Sequence, residues 1–237
     1  MNQTDGDVTY SGDGSGDEIP LTGGMSTPGV VRVGDTVRRP VKADADYTQS
    51  LLMHFERSGF SGAPRFLGVD ERGRTVLSYI DGFAPPHNGL RLSEEAVRAG
   101  ARLVRAVHDL TEGTRFAAGS EVACHPNLSQ PNFVFRDVVP VAIIDWDGTQ
   151  PGSRVANLGD FLWAFVHPAM YGDGEPAARM LRAAVDEYGC DGAGLVDAML
   201  DAVRGFVGEN PEVGDWGLRE LEYTERNADL FEAWLTR

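Results

Sequence analysis

The stretch that decides the fold is His125-Pro126-Asn127-Leu128-Ser129-Gln130-Pro131-Asn132, followed thirteen residues after Asn132 by Asp145-Trp146-Asp147. Between them lie the apolar run Phe133-Val134-Phe135 and the strand-like residues 139–144. Prolines and small polar residues favour a tight loop, and two short apolar runs in succession favour a hairpin. The pattern predicts a loop, a short hairpin and an acidic residue at the end of its second strand.

The composition predicts a globular protein with an acidic surface. The chain has 237 residues, of which 42% are hydrophobic and 24% are charged, and its formal net charge is −15. This length suits one large domain or two small lobes that share a cleft. The excess of negative charge argues against nucleic acid and against an anionic membrane as partners.

The two cysteines, Cys124 and Cys190, form neither a disulfide framework nor a zinc-binding spacing. The sequence also contains no long apolar run and no signal-peptide pattern. We therefore expect a cytoplasmic protein with reduced thiols and no membrane segment. Nothing in the sequence indicates the oligomeric state.

The chain divides into three regions of different character. Residues 1–20 are rich in Gly, Asp and Ser and predict a flexible acidic tail. Residues 21–82 carry strand patterns and one helical pattern, and they predict a small β-rich lobe. Residues 83–237 are mainly helical in pattern, and a Pro-rich hinge is predicted near residues 81–90. The fold class is therefore α+β, and we expect a site in the cleft between the lobes.

Local patterns predict individual elements. Gly34-Asp35 is a turn between two short strands, apolar spacing predicts a helix over residues 47–57, and Ser93 is the N-cap of a helix that ends near Leu110. Helices are further predicted over residues 157–167, 175–188, 192–208 and 214–235. Four aromatic residues of the last helix suit core packing or an acceptor pocket: Trp216, Tyr223, Phe231 and Trp234.

The order of these elements resembles the aminoglycoside phosphotransferase and choline kinase family, which has a protein-kinase-like two-lobed fold. The resemblance covers residues 21–170 and is carried mainly by the loop, the hairpin and the Ile144-Asp145-Trp146-Asp147 segment. Kinases of this kind carry a loop of the form H-x-D-x-x-x-x-N and an aspartate after the hairpin. The resemblance implies a phosphotransferase that uses ATP or GTP with Mg²⁺ and acts on a hydroxyl group of a small-molecule acceptor.

The resemblance also implies the metal site. Asn132 and Asp145 occupy the positions of the two metal ligands, and oxygen ligands of this kind suit Mg²⁺. Asp147 is either a second carboxylate near the metal or a capping or salt-bridging residue. His125 is expected to support the loop through hydrogen bonds.

The sequence departs from the family pattern at the catalytic position, where Asn127 replaces the expected aspartate. An amide orients a donor hydroxyl but provides no carboxylate to accept its proton. Two hypotheses follow: a slow phosphotransferase with Asn127 in the catalytic position, or a catalytically impaired kinase-like protein that binds a nucleotide or ligand. Asn157 also replaces an aspartate that braces the loop in the family, and Asp160, one helical turn later, is a candidate substitute.

In the small lobe the resemblance implies a set of nucleotide-contacting residues: Gly23, Gly24, Ser26, Arg38 and Tyr79. Arg38 corresponds to the cation that faces the phosphates, although the neighbouring Arg39 leaves this choice open. The family's helix provides a glutamate that pairs with this cation. Here the corresponding position is Thr48 or Gln49, so the sequence identifies no ion-pair partner.

Overall fold

The computed structural model describes residues 16–21, 29–42, 45–86 and 89–237, without the side chains of residues 213 and 214. The small lobe is a five-stranded antiparallel sheet in the order β1-β2-β3-β5-β4. Its strands are β1 (Ile19–Pro20), β2 (Val31–Val33), β3 (Thr36–Pro40), β4 (Phe66–Val69) and β5 (Arg74–Ser78). Strand β1 lies within the segment predicted as an acidic tail, so the sheet begins before Leu21.

In the described part of this lobe the one helix is α1 (Ala45–Arg57), which lies between β3 and β4 in sequence and packs against the rest of the molecule through aromatic residues. The ring of Phe55 lies 4.9 Å from Trp146, and the ring of Tyr47 lies 5.7 Å from Phe116. Edge-to-face aromatic pairs of this kind contribute about 0.5–1.5 kcal/mol beyond the area that they bury. Helix α1 is thereby anchored directly beneath the segment that follows the hairpin.

The connection between the lobes passes Gly82, whose φ angle is 145°. A Cβ atom at this position would lie 2.5 Å from the carbonyl oxygen of Phe135, so only glycine fits. The next residue, Phe83, exchanges two backbone hydrogen bonds with Phe135, of 3.0 and 2.8 Å. The connection is therefore a paired segment lying against the central hairpin.

The helical lobe is built around α2 (Glu94–Thr111), whose N-cap Ser93 accepts a hydrogen bond from the N–H of Ala96. This confirms the predicted cap. The other helices are α3 (Arg154–Asp160), extended by a π turn (Phe161–Phe165), α4 (Gly174–Tyr188), α5 (Leu195–Glu209), α6 (Gly214–Arg226) and α7 (Ala228–Leu235). The large lobe is thus mainly helical, as the sequence predicts.

Outside the five-stranded sheet, the described residues form two more antiparallel strand pairs. Strands β7 (Phe133–Arg136) and β8 (Val139–Ile143) form the predicted hairpin. Strands β6 (Val122–Cys124) and β9 (Gln150–Gly152) form a second antiparallel pair, which the sequence patterns did not predict. The reason is that its two members are short and lie on opposite sides of the hairpin in sequence. Because β6 precedes the loop and β9 follows the hairpin, their pairing brings together the two ends of the segment that contains both.

The predicted helix over residues 214–235 is two helices, which meet at Asn227. The side-chain amide of Asn227 donates to the carbonyl oxygen of Tyr223 at 2.8 Å, a local bond that competes with the helical pattern. None of the helices in the described part of the chain combines the length and the apolar character required to span a bilayer.

Candidate active site between the lobes

The loop between β6 and β7 and the residue after β8 are joined by hydrogen bonds. The side-chain amide of Asn132 donates to the carbonyl oxygen of Asn127 at 2.9 Å, and the N–H of Ile144 donates to the carbonyl oxygen of Asn132 at 2.8 Å. The first bond links the two ends of the loop, and the second places Asn132 beside the residue before Asp145. The structure thus brings together Asn127, Asn132 and Asp145.

Asn127 lies on the exposed rim of this loop. Its side-chain oxygen accepts a hydrogen bond of 3.0 Å from the N–H of Ser129, in the manner of an Asx turn. A carboxamide oxygen has two lone pairs, so one remains to accept a hydrogen bond from a hydroxyl. An aspartate could accept the same bond from Ser129, so the loop conformation is compatible with either residue.

His125 supports the loop from below. Its Nδ1 accepts from the N–H of Asn127 at 3.2 Å, and its Nε2 therefore donates to the carbonyl oxygen of Ile144 at 3.1 Å. The ring stands perpendicular to Trp146, with centroids 5.0 Å apart. Burial lowers the pKa of His125 to about 4, so the ring is neutral at pH 7, and hydrogen bonds within the protein already occupy both of its nitrogens.

A buried polar chain continues from this loop into the helical lobe. Asn157 accepts from the N–H of His125 at 3.2 Å and donates to its carbonyl oxygen at 2.8 Å. The Nε2 of His108 lies 3.0 Å from the same Asn157 oxygen, and its Nδ1 lies 2.7 Å from the hydroxyl of Tyr188. Since the Asn157 oxygen only accepts, Nε2 of His108 carries the proton and Nδ1 accepts from Tyr188.

The sequence did not predict this bracing by Asn157, because it treated the residue as a departure from the family and Asp160 as its substitute. Both residues hold the loop, since Asp160 accepts a hydrogen bond of 2.8 Å from the N–H of Leu128. His108 was missed altogether. A signal existed: His108 falls four residues after the buried Val104, on the apolar face of α2.

Asp145 adopts a left-handed conformation with φ of 64°, an uncommon state for a residue other than glycine. The turn projects its carboxylate toward the small lobe, where Arg39 Nη2 lies 3.1 Å away. Arg39 also contacts the carboxylate of Asp147, and Lys42 Nζ lies 3.1 Å from the same Asp147 oxygen. Two carboxylates and two cations therefore meet at this end of the cleft.

The structure corrects the prediction that Arg38 faces this site. Successive side chains of a strand point to opposite faces, so only one of two adjacent arginines in β3 reaches the cleft. That residue is Arg39. Arg38 lies on the other face, where its Nη1 is 3.7 Å from Asp70 and its Nε donates to the hydroxyl of Thr36 at 3.2 Å.

The remaining small-lobe predictions concern Gly23, Gly24, Ser26 and Tyr79. Gly23, Gly24 and Ser26 lie outside the described residues. The backbone N–H of Tyr79 already donates to the carbonyl oxygen of Asp35 at 2.8 Å, and its ring lies 3.7 Å below the guanidinium of Arg32. The N–H of Tyr79 is therefore engaged within the protein.

No cluster of three or more His, Cys, Asp or Glu side chains suited to a metal occurs among the described residues. The carboxylate of Asp145 and the carboxamide of Asn132 each offer oxygen atoms as possible metal ligands. Magnesium sites of nucleotide enzymes commonly use one or two protein ligands of this kind together with phosphate oxygens. The residues present therefore fit a divalent ion that is bound together with a nucleotide.

On the helical side of the loop lies a second polar cluster. Nε2 of His167 is 3.3 Å from Glu220, and the ring of Trp216 stands over His167 at 6.1 Å. Among the described residues, buried polar atoms without a hydrogen-bond partner are Trp163 Nε1, Glu220 Oε2 and the Tyr223 hydroxyl. Of the four predicted aromatic residues, Trp216 is 38% exposed and borders this cluster, whereas Phe231 is fully buried in the core.

Comparison with known proteins places the chain in a family. No protein-family model matches it. The trifolitoxin immunity protein of Rhizobium leguminosarum bv. trifolii is 32% identical over 214 residues, which cover 78% of this chain and 80% of that protein. The chain belongs to the trifolitoxin immunity protein family.

Solved structures confirm the fold expected for this member of the trifolitoxin immunity protein family. A choline/ethanolamine kinase family protein from Mesorhizobium loti superimposes with a TM-score of 0.54 at 17% identity, covering 94% of each chain. The aminoglycoside phosphotransferase APH(3'')-Id from Streptomyces rimosus, in complex with ADP and streptomycin, gives 0.53 at 15% identity, covering 96% of this chain and 94% of that one. The predicted two-lobed α+β fold, shared by aminoglycoside phosphotransferases and choline kinases, is therefore confirmed.

Proposed function

We propose that this protein is a phosphotransferase that moves the γ-phosphoryl group of ATP or GTP to a hydroxyl group of a small molecule. The observation that supports this most directly is the hydrogen-bonded unit of loop and hairpin, in which Asn132 donates to the Asn127 carbonyl at 2.9 Å and accepts from Ile144 at 2.8 Å. Such a unit holds an acceptor-orienting group and two metal ligands in a fixed relation.

The proposed chemistry follows from the residues. Asn132 and Asp145 would hold Mg²⁺, which would neutralise charge on the phosphate oxygens. Arg39 provides a further positive charge at the same end of the cleft. Asn127 accepts a hydrogen bond from the acceptor hydroxyl and orients it, without taking its proton. Phosphoryl transfer through a loose transition state depends mainly on positioning and charge neutralisation, so this loop supports transfer at a reduced rate.

We propose the class of acceptor from the name of the relative and from the second polar cluster, which contains His167, Glu220 and Trp216. The relative is named for immunity to a toxin, which favours an antibiotic or toxin molecule as the acceptor. The unpartnered carboxylate oxygen of Glu220 and the partly exposed ring of Trp216 are suited to a polar, positively charged group. His167 and Gln130 flank Gly89, since a Cβ built there lies 3.3 and 3.4 Å from their polar atoms, so this cluster borders the loop.

The alternative is a nucleotide- or ligand-binding protein without transfer, and Asn127 is the observation that favours it. The experiment compares wild type, Asn127→Asp and Asp145→Asn in a phosphate-transfer assay with ATP and GTP and a panel of antibiotic acceptors. We expect slow transfer by wild type, loss in Asp145→Asn and a gain of about 10²-fold in Asn127→Asp, at the low end of general-base effects.

Magnesium-dependent nucleotide binding without transfer in wild type or in Asn127→Asp would favour the binding-protein alternative. If neither ATP nor GTP binds to the wild type with Mg²⁺, the phosphotransferase hypothesis is wrong, and of the alternative only the binding of another ligand remains.

A further inference from the structure

The cation that faces the cleft has its partner on the hairpin side. The guanidinium of Arg39 contacts Asp147 and lies 3.1 Å from Asp145, and Lys42 lies 3.1 Å from Asp147. The side chains of Arg39 and Asp147 are only 10% and 13% exposed, whereas that of Asp145 is 34% exposed. The contact between Arg39 and Asp147 is therefore the more buried of the two.

Helix α1 offers no carboxylate to this cation. Among the described residues that line the small pocket around Arg39, the helix contributes Ala45, Thr48, Gln49 and Leu52, and the acids are Asp145 and Asp147. The acids of α1 lie elsewhere: Asp46 is exposed in its first turn, and Glu56 lies 3.7 Å from Arg65. Thr48 instead directs its hydroxyl to the carbonyl oxygen of Trp146 at 3.5 Å.

Among the described residues that line this pocket the charges balance, since Arg39 and Lys42 oppose Asp145 and Asp147. Removal of one partner of a buried ion pair destabilises the protein strongly, because it leaves an uncompensated charge. Without the Asp147 side chain, Asp145 would be the carboxylate within reach of Arg39, and it is the one that the proposed function assigns to the metal. With Asp147 in place, Arg39 keeps a partner while Asp145 is left for a metal.

We propose that Asp147 is a positioning residue that takes the place of the missing helix carboxylate: it holds Arg39 in the cleft and leaves Asp145 available to the metal. This inference rests on the proposed function for the metal and goes beyond it in assigning the ion pair. It also resolves the two sequence-based alternatives for Asp147 in favour of the salt bridge, since its Oδ2 atom is already shared by two cations.

The first test needs no nucleotide. Urea unfolding is measured for wild type, Asp147→Asn, Arg39→Gln and the corresponding double variant. We expect Asp147→Asn to lower the midpoint of unfolding, and the two single changes to be clearly non-additive. The decisive protein is Asp147→Asn combined with Gln49→Glu, which returns a carboxylate to α1 without added volume. This variant should recover most of the decrease in the urea midpoint that Asp147→Asn causes.

The second test uses Mg²⁺ with ATP, and with GTP, followed by thermal shift. Asp147→Asn should weaken apparent nucleotide affinity by about tenfold or more, and adding Gln49→Glu should restore it to within about threefold of wild type. Asp46→Asn, which removes an exposed acid of the same helix, is the matched control and should bind as wild type does.

The outcomes separate two failures. Additive single variants in urea, or a Gln49→Glu change that restores neither stability nor affinity, would overturn the assignment of Asp147. If wild type binds neither nucleotide, the proposed function and the positioning role both fail, while the urea series still decides whether the ion pair exists.

Discussion

Asn157 and His125 are joined by two hydrogen bonds in opposite directions: the Asn157 amide donates to the His125 carbonyl oxygen at 2.8 Å, and its oxygen accepts from the His125 N–H at 3.2 Å. This pairing uses both ends of a carboxamide. An aspartate cannot reproduce it, because an ionised carboxylate only accepts. The residue that looks like a departure in the sequence is thus matched to the backbone that it holds.

Asn157→Ala should destabilise the protein by about 2–4 kcal/mol, because it leaves buried groups of His125 and His108 without partners. Asn157→Asp should also destabilise it at pH 8, since its carboxylate faces the His125 carbonyl oxygen. The deficit of Asn157→Asp should shrink as the pH falls and a proton is taken up. Urea unfolding at pH 8 and pH 5 measures both. An aspartate variant as stable as wild type at pH 8 would contradict this account.

Asp160 should make the protein less stable as the pH rises. Burial raises the pKa of its carboxyl group from 3.8 to about 6, so the folded state holds its proton more tightly than the unfolded state. The destabilisation begins near pH 4 and is complete above pH 6, and it is at most about 3 kcal/mol because the residue retains some exposure.

Asp160→Asn keeps an acceptor for the Leu128 N–H and should therefore be more stable than wild type at pH 7.5. Asp160→Ala removes the acceptor of the Leu128 N–H, and the loop that contains Leu128 should become less ordered. The comparison of urea midpoints at pH 4.5 and pH 7.5 decides this: an advantage of Asp160→Asn that is the same at both values would exclude the charge as its cause.

His108 should contribute to acid unfolding. Burial lowers its pKa from 6.5 to about 4, so the unfolded state takes up a proton that the folded state refuses. This part of the stability is fully present above pH 6.5 and is lost as the pH falls toward 4. His108→Gln retains a donor toward Asn157 but does not titrate. The slope of stability against pH between 6.5 and 4 should decrease by about one proton in this variant, and an unchanged slope would contradict the buried neutral state.

Gly82→Ala should destabilise the connection between the lobes by roughly 2–5 kcal/mol, through backbone strain and a clash with Phe135. Gly113→Ala is the matched control, because Gly113 also has positive φ, of 68°, but a Cβ there meets nothing within 4 Å. Strain alone should cost the control about 1–2 kcal/mol. Equal losses in the two variants would show that the close approach at Gly82 has no energetic weight.

Short-range patterns predicted much of this fold. The N-cap at Ser93 and the β2–β3 turn at Gly34-Asp35 depend on neighbours within a few residues, so the sequence contains the whole signal. The loop and hairpin were predictable for the same reason, and they carry Asn127, Asn132 and Asp145. By contrast, the pairing of β6 with β9 joins short segments across the hairpin and left no local pattern.

The sequence by itself determined the unit of loop and hairpin and the order of the two lobes, because each depends on local turns, caps and apolar spacing. Only the tertiary structure decided which of Arg38 and Arg39 reaches the cleft. Two adjacent arginines in a strand point to opposite faces, and the sequence does not show which face lies toward the cleft. The packing of the sheet on helix α1 selects that face. The tertiary structure also decided that Asn157 and Asp160 both hold the loop, and that Asp147 meets Arg39 from 108 residues away. Contacts of such long range arise only when the whole chain packs, and the partner of a buried charge is fixed by that packing.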